Sequence, residues 1–559
     1  MSLSASMPWR AHYGDTPAQL SYPETTMFQL LRQRAQTMPE HTAYIFQGKH
    51  TSYRRFLERV EAAAMGLWDL GIGPGDTVTV CLPNCPQVLE CLYGLNRIGA
   101  VANLLHPLSA ADEIGASLKR SGSKAILTWA PLYEKVASVT SGDVAILLTG
   151  LADRAPAPLK LCYHMKYRLP DGAYLLWQRL LARKAQLPED TGKAEDPAVI
   201  LYSGGTTGTP KGVLLSNRNC NALALQTIAA SGFGSIVGMK VLAVLPNFHG
   251  FGLGISIHTA LIGGAACILM PRFSPRGCAR VLCREKPHII PGVPALFEAL
   301  LQARQLQGKD LSFIKGVFCG GDCLSPGLKQ RVDTFLRSHH CPEQIRQGYG
   351  ATECVAAACL MPRNIRREQA VGLPFPDVGC KIVRPGTEEE LPAGEAGEIC
   401  ISGPTVMLGY LGEPESTREA VRRHGDGNRW LHTGDLGYMD ADGFLYFKQR
   451  IKRMIVTNGY NVYPSELEAV LERHETVRLS CVIGVPDGLR GQRVRAYVVP
   501  AAGVEPSQGL KQEILAHCAR YIAKYALPRE LHFRETLPKT PVGKVDYRQL
   551  EAQALEENT

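Results

Sequence analysis

The stretch from Asp196 to Asn219 reads DPAVILYSGGTTGTPKGVLLSNRN, and it decides the fold. Five apolar or aromatic residues, 198–202, end at ten residues that comprise four Gly, three Thr, one Ser, one Pro and one Lys. A buried strand that feeds a glycine-rich loop can present backbone N–H groups to phosphate oxygens. We therefore predict a phosphate-binding loop in an α/β sheet, with a mobile surface hairpin as the alternative interpretation.

The loop differs from two well-known phosphate-binding patterns. It lacks Gly-x-Gly-x-x-Gly, and Lys211 follows Pro210 rather than the glycine that the Walker pattern requires. Lys211 can still act as a point charge toward a polyphosphate. The hydroxyl side chains that can surround the same group are Ser203, Thr206, Thr207 and Thr209.

The size and composition of the chain are those of a globular protein with several domains. At 559 residues, a prior of ~150 residues per domain suggests three or four units. No stretch reaches the ~18 uninterrupted apolar residues of a membrane helix, and residues 1–15 carry no pattern of a secretory signal. The net charge of +9 forms no long runs, so it fits a binder of phosphorylated small molecules without selecting one.

The cysteines point to a reducing compartment. There are 17, an odd number, and none forms a Cys-x-x-Cys pair. This pattern disfavours a disulfide framework and a metal cluster. We expect free thiols and a cytoplasmic location.

Strand-like runs alternate with helical patterns through residues 1–449. A strand pattern at 76–83 is followed by a helical pattern at 85–99 and another strand pattern at 100–105. Such alternation predicts parallel α/β sheets. Ser325-Pro326 predicts a helix start, and SELE at 465–468 predicts a capping box ahead of an apolar face.

The C-terminal part, residues 450–559, has a different pattern. Short strand patterns occur around 443–450, 453–459, 479–486 and 493–500, with helical patterns at 465–474 and 510–524. We predict a small α+β domain that begins at Arg450, where KQRIKRM forms a basic joint.

Residues 159–184 are basic, aromatic and partly amphipathic. Two interpretations remain open. One is a pair of surface helices packed on the large domain; the other is contact with an anionic membrane surface or a lipid-like substrate.

Five segments together resemble one family. LYSGGTTGTPKGV (201–213) is similar to the phosphate-loop signature of the adenylate-forming superfamily, which includes acyl-CoA synthetases, peptide-synthetase adenylation domains and luciferases. The four further segments that match, in the family's order, are QGYGATE (347–353), residues 430–468, GVPD (484–487) and LPKTPVGKVDYRQL (537–550). The resemblance covers nearly the whole chain. It implies an α/β fold with a large N-terminal domain of mainly parallel sheets plus a β-subdomain, followed by a small mobile α+β C-terminal domain.

The resemblance also implies a reaction. A carboxylate attacks the α-phosphate of ATP, an acyl-adenylate and pyrophosphate form, and a second nucleophile displaces AMP. Lys544 resembles the lysine that bridges the carboxylate and the α-phosphate, Glu353 the ligand of Mg²⁺, and Thr352 a hydrogen-bond donor to the α-phosphate. The catalytic residues implied are His249, Thr352, Glu353 and Lys544.

The implied nucleotide site extends beyond these residues. Asp435 and Arg450 resemble the pair at the ribose hydroxyls, and Tyr349 the residue that stacks on adenine. Lys452 corresponds to the hinge, and Gly459 and Tyr460 to the path of the coenzyme A thiol. The remaining residues implied to bind ATP or AMP are Ser203, Gly204, Gly205, Thr206, Thr207, Gly208, Lys211, Gly320, Gly321, Asp322, Gln347, Gly348 and Gly350.

The residues around Gly459 are especially similar to those of bacterial fatty acyl-CoA synthetases. This similarity favours a medium- or long-chain fatty acid and coenzyme A as substrates. Small residues, among them Gly320 and Gly350, are expected to leave space for the acyl chain. The implied acyl pocket comprises His249, Gly252, Val293, Phe318, Gly320, Gly350 and Ala351.

Two alternatives to this reading stay open. One is an acyl-AMP ligase that loads an acyl group on a carrier protein. The other is a non-catalytic adenylate-binding regulator. Retention of Lys211, Thr352, Glu353, Asp435 and Lys544 together argues against the second.

Overall fold

The structure is a computed structural model, and it describes residues 7–154, 156–157, 169–203, 210–457, 460–488, 491–539 and 545–557. Strands are numbered along these residues. They are β1 (Thr42–Phe46), β2 (Lys49–Ser52), β3 (Thr77–Cys81), β4 (Val101–Leu104), β5 (Ser123–Trp129), β6 (Ala145–Thr149), β7 (Leu175–Leu176), β8 (Pro197–Tyr202), β9 (Gly212–Ser216), β10 (Lys240–Ala243), β11 (Ala266–Leu269), β12 (Ile289–Gly292), β13 (Gly316–Cys319), β14 (Ile345–Tyr349), β15 (Cys359–Leu360), β16 (Leu373–Pro374), β17 (Gly379–Val383), β18 (Gly397–Ser402), β19 (Gly409–Tyr410), β20 (Val421–Arg423), β21 (Arg429–Met439), β22 (Leu445–Arg450), β23 (Ile455–Thr457), β24 (Tyr460–Val462), β25 (Val477–Asp487), β26 (Gly491–Pro500) and β27 (Glu530–Phe533).

The α-helices of the same residues are numbered in the same way. They are α1 (Met27–Thr37), α2 (Tyr53–Asp69), α3 (Pro86–Arg97), α4 (Ala111–Ser121), α5 (Tyr133–Ala137), α6 (Trp177–Leu180), α7 (Asn217–Ser231), α8 (Thr259–Ile262), α9 (Pro275–Glu285), α10 (Pro294–Leu301), α11 (Pro326–Ser338), α12 (Pro414–Ala420), α13 (Pro464–Leu471), α14 (Gln508–Cys518) and α15 (Tyr547–Glu556). A π-helix, Phe251–His258, precedes α8.

Two large sheets, mainly parallel, carry the first part of the chain. The nine-stranded sheet has the order β16-β15-β14-β13-β12-β10-β11-β1-β2, and the eight-stranded sheet has the order β19-β9-β8-β4-β3-β5-β6-β7. The predicted fold class is confirmed. The strand, helix and strand predicted between residues 76 and 105 are β3, α3 and β4, because TVTVC of β3 is buried on both faces and Pro86 starts the helix.

Two asparagines join the ends of these sheets. The Asn84 side chain, just after β3, donates to the carbonyl oxygens of Ala243 and Leu245 at 3.0 and 2.8 Å. The Asn247 side chain donates back to the Leu82 carbonyl at 3.0 Å. The carboxyl ends of strands from both sheets are thereby held beside each other, which is where α/β folds place their ligands.

Two smaller sheets follow. In the first, β17-β18-β21-β20 are antiparallel and β22 pairs with β21. In the second, the order is β24-β23-β26-β25, and β27 adds in parallel to β26. The strand predicted around 443–450 is therefore β22 of the first of these sheets, whereas the strands predicted after residue 450 belong to the second.

Helix α13 corrects a prediction. Its apolar face, Leu467, Val470 and Leu471, is buried as expected, but the capping box at 465–468 is wrong. The helix begins at Pro464, so Ser465 lies inside the first turn and its hydroxyl donates to the Lys448 carbonyl at 2.6 Å. Glu468 instead bonds to Arg453 and accepts the Val482 N–H at 2.7 Å.

A buried carboxylate holds the described part of 159–184 against the large domain. Glu90 accepts two hydrogen bonds from Arg154, at 2.7 and 2.8 Å, and one from the Trp177 indole at 3.2 Å. Residues 158–168 lie outside the described residues. One expectation for this segment was a pair of helices. Its described residues instead form the two-residue strand β7 and the short helix α6. Trp177 and Leu180 of α6 pack into the core.

The helices and cysteines of the described residues bear on the expectations about membrane spans and disulfides. No helix there is long and apolar enough to cross a membrane. Every cysteine in those ranges is a free thiol, and most are buried.

Candidate active site

A cavity of about 2420 Å³ lies at the carboxyl ends of the central strands, and we call it the site cavity. The turns after β13 and β14 form one wall, Ser203 and Lys211 at the base of the glycine-rich loop form a second, and residues of the C-terminal part form a third. The predicted site residues that line it are Ser203, Lys211, His249, Phe318, Gly320, Gly321, Asp322, Gln347, Gly348, Tyr349, Gly350, Ala351, Thr352, Glu353, Asp435, Arg450 and Lys452.

Asp435 is the buried anion of this cavity. It stands opposite Arg450 in the register of β21 and β22, with the Arg450 Nε 3.3 Å from its Oδ1. The Tyr349 hydroxyl donates to Oδ2 at 2.7 Å. Burial raises the pKa of the Tyr349 hydroxyl well above its usual value, and the Asp435 charge raises it further, so the phenol keeps its proton. A carboxylate held in this way can accept hydrogen bonds from neighbouring hydroxyl groups.

A buried contact between a carboxylate and a histidine supports the turn that carries Asp435. Glu398 on β18 receives the Gly434 N–H at 3.0 Å, and the His432 Nδ1 lies 2.9 Å from its other oxygen. His424 contacts the far nitrogen of His432 at 2.9 Å. These contacts fix the backbone beside Asp435, which explains why its side chain can be held inward.

A second polar cluster was not predicted from the sequence. The Tyr410 hydroxyl donates to the Glu353 Oε1 at 2.8 Å, and the Lys211 Nζ lies over the Tyr410 ring, 4.8 Å from its centre. Lys211 also forms an ion pair with Glu413, at 3.7 Å. Tyr410 therefore contacts both the Glu353 carboxylate and the Lys211 ammonium group, which the sequence analysis predicted as site residues.

The local fold explains the position of Tyr410. Strand β19 contains only two residues, and it pairs antiparallel with β9 so that Tyr410 is opposite Val213. The Met407 N–H donates to the Glu353 carbonyl at 2.8 Å, and the Thr417 hydroxyl accepts the Tyr410 N–H at 2.8 Å. The segment from Met407 to Tyr410 therefore bonds both to β9, which follows the glycine-rich loop, and to Glu353, which follows β14.

The base of the glycine-rich loop is a β-hairpin. Tyr202 of β8 pairs with Gly212 of β9, and the Ser203 N–H donates to the Lys211 carbonyl at 3.1 Å. Arg120 donates to the Pro210 carbonyl at 2.6 Å. The predicted residues Gly204, Gly205, Thr206, Thr207 and Gly208 lie outside the described residues, as do Gly459 and Lys544.

The inner part of the site cavity is apolar. It runs between α7, the π-helix and β13. The side chains that line it include Ile228, Phe233, Ile236, Val241, Ile255, Ile289 and Phe318. Such a channel can take a long hydrocarbon chain, because apolar lining removes its methylene groups from water.

Several predicted pocket residues have other surroundings than expected. A side chain at Gly252 would lie 2.0 Å from the Pro246 carbonyl, and one at Gly350 would lie 2.0 Å from the Ala356 carbonyl. Both glycines therefore make room for neighbouring backbone. Gly350 also lines the site cavity, so its place beside an acyl chain stays a prediction. Gly252 and Val293 are also absent from the cavity lining, although Val293 lies 3.5 Å from where a Gly321 side chain would begin.

The remaining predicted residues are His249, Lys452 and Tyr460. The His249 Nδ1 accepts the Phe251 N–H at 3.2 Å beside the channel entrance. Lys452 is exposed in a single 3₁₀ turn, Ile451–Arg453, between β22 and β23. Tyr460 is exposed and stacks on Tyr525 with ring centres 4.6 Å apart, and it is not part of the described cavity lining.

Comparison with known proteins adds similarities of three kinds: to family profiles, to curated relatives and to a solved structure. The sequence profile of the family described as AMP-binding enzyme matches residues 31–411, and that of the AMP-binding enzyme C-terminal domain matches residues 466–544. A long-chain-fatty-acid–CoA ligase of Bacillus subtilis (strain 168) is 33% identical over 100% of this chain and 99% of that protein. One of Salmonella typhimurium (strain LT2) is 32% identical over 98% of both chains. The solved structure of a Mycobacterium tuberculosis fatty acyl CoA synthetase, 27% identical, superposes with a TM-score of 0.71 over 95% of this chain and 99% of that one.

Proposed function

The chain belongs to the AMP-binding enzyme family, and we propose that it is an ATP-dependent ligase that joins a long-chain fatty acid to coenzyme A. An acyl-adenylate is the intermediate, and AMP and pyrophosphate are released. The full-length similarity to two long-chain-fatty-acid–CoA ligases supports this activity. The observation that carries it is one cavity that joins a polar cluster around Asp435 and Glu353 to a deep apolar channel.

In this proposal the nucleotide lies across the turns that follow β13 and β14. Asp435 accepts the ribose hydroxyls, and Arg450 holds its carboxylate in place. Tyr349, whose hydroxyl is engaged by Asp435, offers its ring rather than its hydroxyl to adenine. Ser203 and Lys211 at the loop base, together with residues 204–208, bind the phosphates.

Glu353 is a suitable ligand for Mg²⁺. Its carboxylate lines the cavity, and Tyr410 fixes one of its oxygens. Mg²⁺ prefers carboxylate and phosphate oxygens, so the donor chemistry fits. When bound, the ion would neutralise phosphate charge. Glu353 would hold this ion, while Lys211 and Thr352 offer their own donors to the phosphates.

The chemical difficulty of the first half-reaction is that an anion must approach a polyanion. We propose that Lys544 reduces this repulsion by binding the fatty acid carboxylate and the α-phosphate together. Thr352 donates to the same phosphate, and His249 orients the acyl carboxylate at the entrance of the channel.

The second half-reaction needs a different face of the C-terminal part. We propose a division into residues 1–449 and 450–559, with Lys452 as the hinge. Its exposure in a one-turn link between two sheets supports that role. After rotation, Gly459 and Tyr460 would border the thiol of coenzyme A.

Three finer points extend the proposal. The free thiols support a cytoplasmic location. A carrier-protein thiol remains a second acceptor to test. For membrane contact through 159–184, the described residues point both ways: Trp177 and Leu180 pack inward, whereas Leu169 is exposed.

The proposed function is tested with the purified chain, a series of fatty acids, ATP and Mg²⁺. AMP release and loss of free thiol are measured with coenzyme A and, separately, with a carrier protein that bears phosphopantetheine. We expect equal amounts of AMP and thioester with coenzyme A and a long-chain acid. AMP formation that needs no acid, or thioester formed only on the carrier, would contradict the proposal.

Tyr410→Phe tests the unpredicted cluster. Loss of the hydrogen bond to Glu353 should weaken Mg²⁺-dependent nucleotide binding about tenfold, because a bond to a charged group is worth ~1.5–3 kcal/mol. Binding is measured as Mn²⁺ uptake by electron paramagnetic resonance in the presence of a non-hydrolysable ATP analogue. Tyr22→Phe is the matched control, since Tyr22 donates to Asp377 at 2.8 Å outside the site cavity. Equal uptake by both variants would refute the role of Tyr410.

Glu413→Gln should act in the opposite direction. It removes the carboxylate that holds Lys211, so the lysine becomes available to phosphate. Because an exposed ion pair is worth ~0.2–1 kcal/mol, the KM for ATP should fall about threefold. An unchanged or higher KM would argue against competition between Glu413 and the nucleotide.

A further inference from the structure

The apolar channel follows β13 from the site toward the start of that strand. Gly320, at the nucleotide end, lies four residues beyond Gly316, which corresponds to about 13 Å of extended chain. The register places Gly316 beside Ile289, and Ile289 beside Val241. Both side chains line the site cavity, so the cavity extends along the whole strand.

Phe233 stands at the far end of this channel. It follows α7 and Gly232, and its ring meets Phe318 edge-on with centres 6.2 Å apart. A side chain at Gly316 would come within 2.6 Å of the ring, so the glycine there makes room for it. Phe233 therefore fills the end of the channel.

Two arginines hold the Phe233 ring and its backbone in place. The Arg363 guanidinium lies over it, 5.6 Å from the ring centre, and pairs with Glu343. The buried Arg346 donates to the carbonyls of Ser231 and Ala230 at 2.7 and 3.0 Å. These bonds fix the end of α7, so they also fix the backbone from which Phe233 projects.

A second cavity, at the protein surface, also borders the ring. It has a volume of about 430 Å³, and we call it the outer cavity. Phe233 lines both cavities. The other residues that line the outer cavity are Gly232, Met239, Ser312, Ile314, Lys315, Pro342, Glu343 and Arg363. One aromatic side chain thus separates the channel from additional space.

We propose that Phe233 is a specificity-determining residue that sets the longest acyl chain the enzyme accepts. The inference rests on the proposed function and deepens it. An acyl chain that reaches Phe233 fills the channel, and further methylene groups have no buried position. Removing the ring connects the channel to the outer cavity and gives these groups space next to protein. A fully buried methylene strengthens binding about fourfold, and a partly exposed one by less.

The test compares Phe233→Ala and Phe233→Trp with the unaltered enzyme on octanoic, palmitic and lignoceric acids. For Phe233→Ala, the ratio of kcat/KM for lignoceric acid to that for octanoic acid should rise at least tenfold. For Phe233→Trp, the ratio of palmitic to octanoic acid should fall. A ratio is used because a general loss of stability lowers both of its members together.

Phe335→Ala is the matched control. Phe335 is a partly buried phenylalanine on α11 that stacks on His339, and it lines neither cavity. Its ratios should stay at the values of the unaltered enzyme. If Phe233→Ala does not fold, Phe233→Leu replaces it, with a smaller rise expected in the same direction.

Two failures are distinguishable. If the unaltered enzyme forms thioesters but the ratios of the Phe233 variants do not change, the inference is overturned while the proposed function stands. If the unaltered enzyme forms no thioester, the proposed function fails. Displacement of a fluorescent fatty acid by the same three acids then still measures whether Phe233 limits chain length, and unchanged displacement would overturn the inference.

Discussion

Replacing Lys544 with alanine is expected to slow acyl-adenylate formation by at least ~10²–10³-fold, the loss associated with one preorganised electrostatic donor. Two unit charges 4 Å apart repel by ~1 kcal/mol in water and ~4 kcal/mol at an effective dielectric constant of 20. The fatty acid carboxylate faces several phosphate charges at once, so removal of the ammonium group leaves this repulsion uncompensated. Pyrophosphate exchange dependent on the fatty acid measures the step directly.

The two half-reactions separate this effect from a general loss of folding. Thioester formation from supplied acyl-adenylate and coenzyme A should be far less affected by Lys544→Ala, because that step does not join two anions. Lys511→Ala, on α14 of the same C-terminal part and outside the site cavity, is the control and should leave both rates unchanged. Normal pyrophosphate exchange in the Lys544 variant would show that another group carries the reaction.

Asp435→Asn should have the second largest effect. Its carboxylate accepts the Tyr349 hydroxyl and faces Arg450. Two hydrogen bonds from ribose to a charged group, each worth ~1.5–3 kcal/mol, correspond to a loss of ATP affinity of at least ~10²-fold. Asparagine keeps the shape of the side chain, which avoids the larger cost of removing a buried partner altogether. Equilibrium titration with ATP measures the loss.

Ribose discrimination gives a specific readout for Asp435. The unaltered enzyme should bind ATP more tightly than 2′-deoxy-ATP, and the variant should bind both almost equally. Asp377→Asn is the matched control, because Asp377 also accepts a tyrosine hydroxyl, that of Tyr22 at 2.8 Å, away from the cavity. A variant that still prefers ATP by the original factor would remove Asp435 from the ribose site.

Patterns within one element were reliable guides to the fold. The buried run of β3 and the proline start of α3 are local signals, and both elements form as expected. The capping box predicted at 465–468 does not form, because the helix begins one residue earlier, at Pro464. The Ser465 hydroxyl therefore lies inside the first turn and donates to the Lys448 carbonyl of β22. Tertiary contacts overrode the local motif.

In the candidate site too, local motifs identified residues correctly, whereas positions set by tertiary contacts were missed. Motifs brought Tyr349, Asp435 and Arg450 to attention, and the structure places them in contact. Tyr410 and Glu413 were missed because their position depends on a two-residue strand that pairs with β9, about 200 residues earlier in the chain. The GYLGEPES sequence around them carries no periodic signal. Sequence also did not show that Gly350 makes room for the Ala356 backbone, because an absent side chain can serve backbone packing as easily as a ligand.

Glu90 has a practical consequence for protein engineering. Arg154 and Trp177 both bond to this one carboxylate, so the chain between them starts and ends at the same anchor. Doubling the length of such a closed segment adds only about 0.6 kcal/mol of closure entropy. The segment is therefore a suitable place to graft a reporter or an affinity tag.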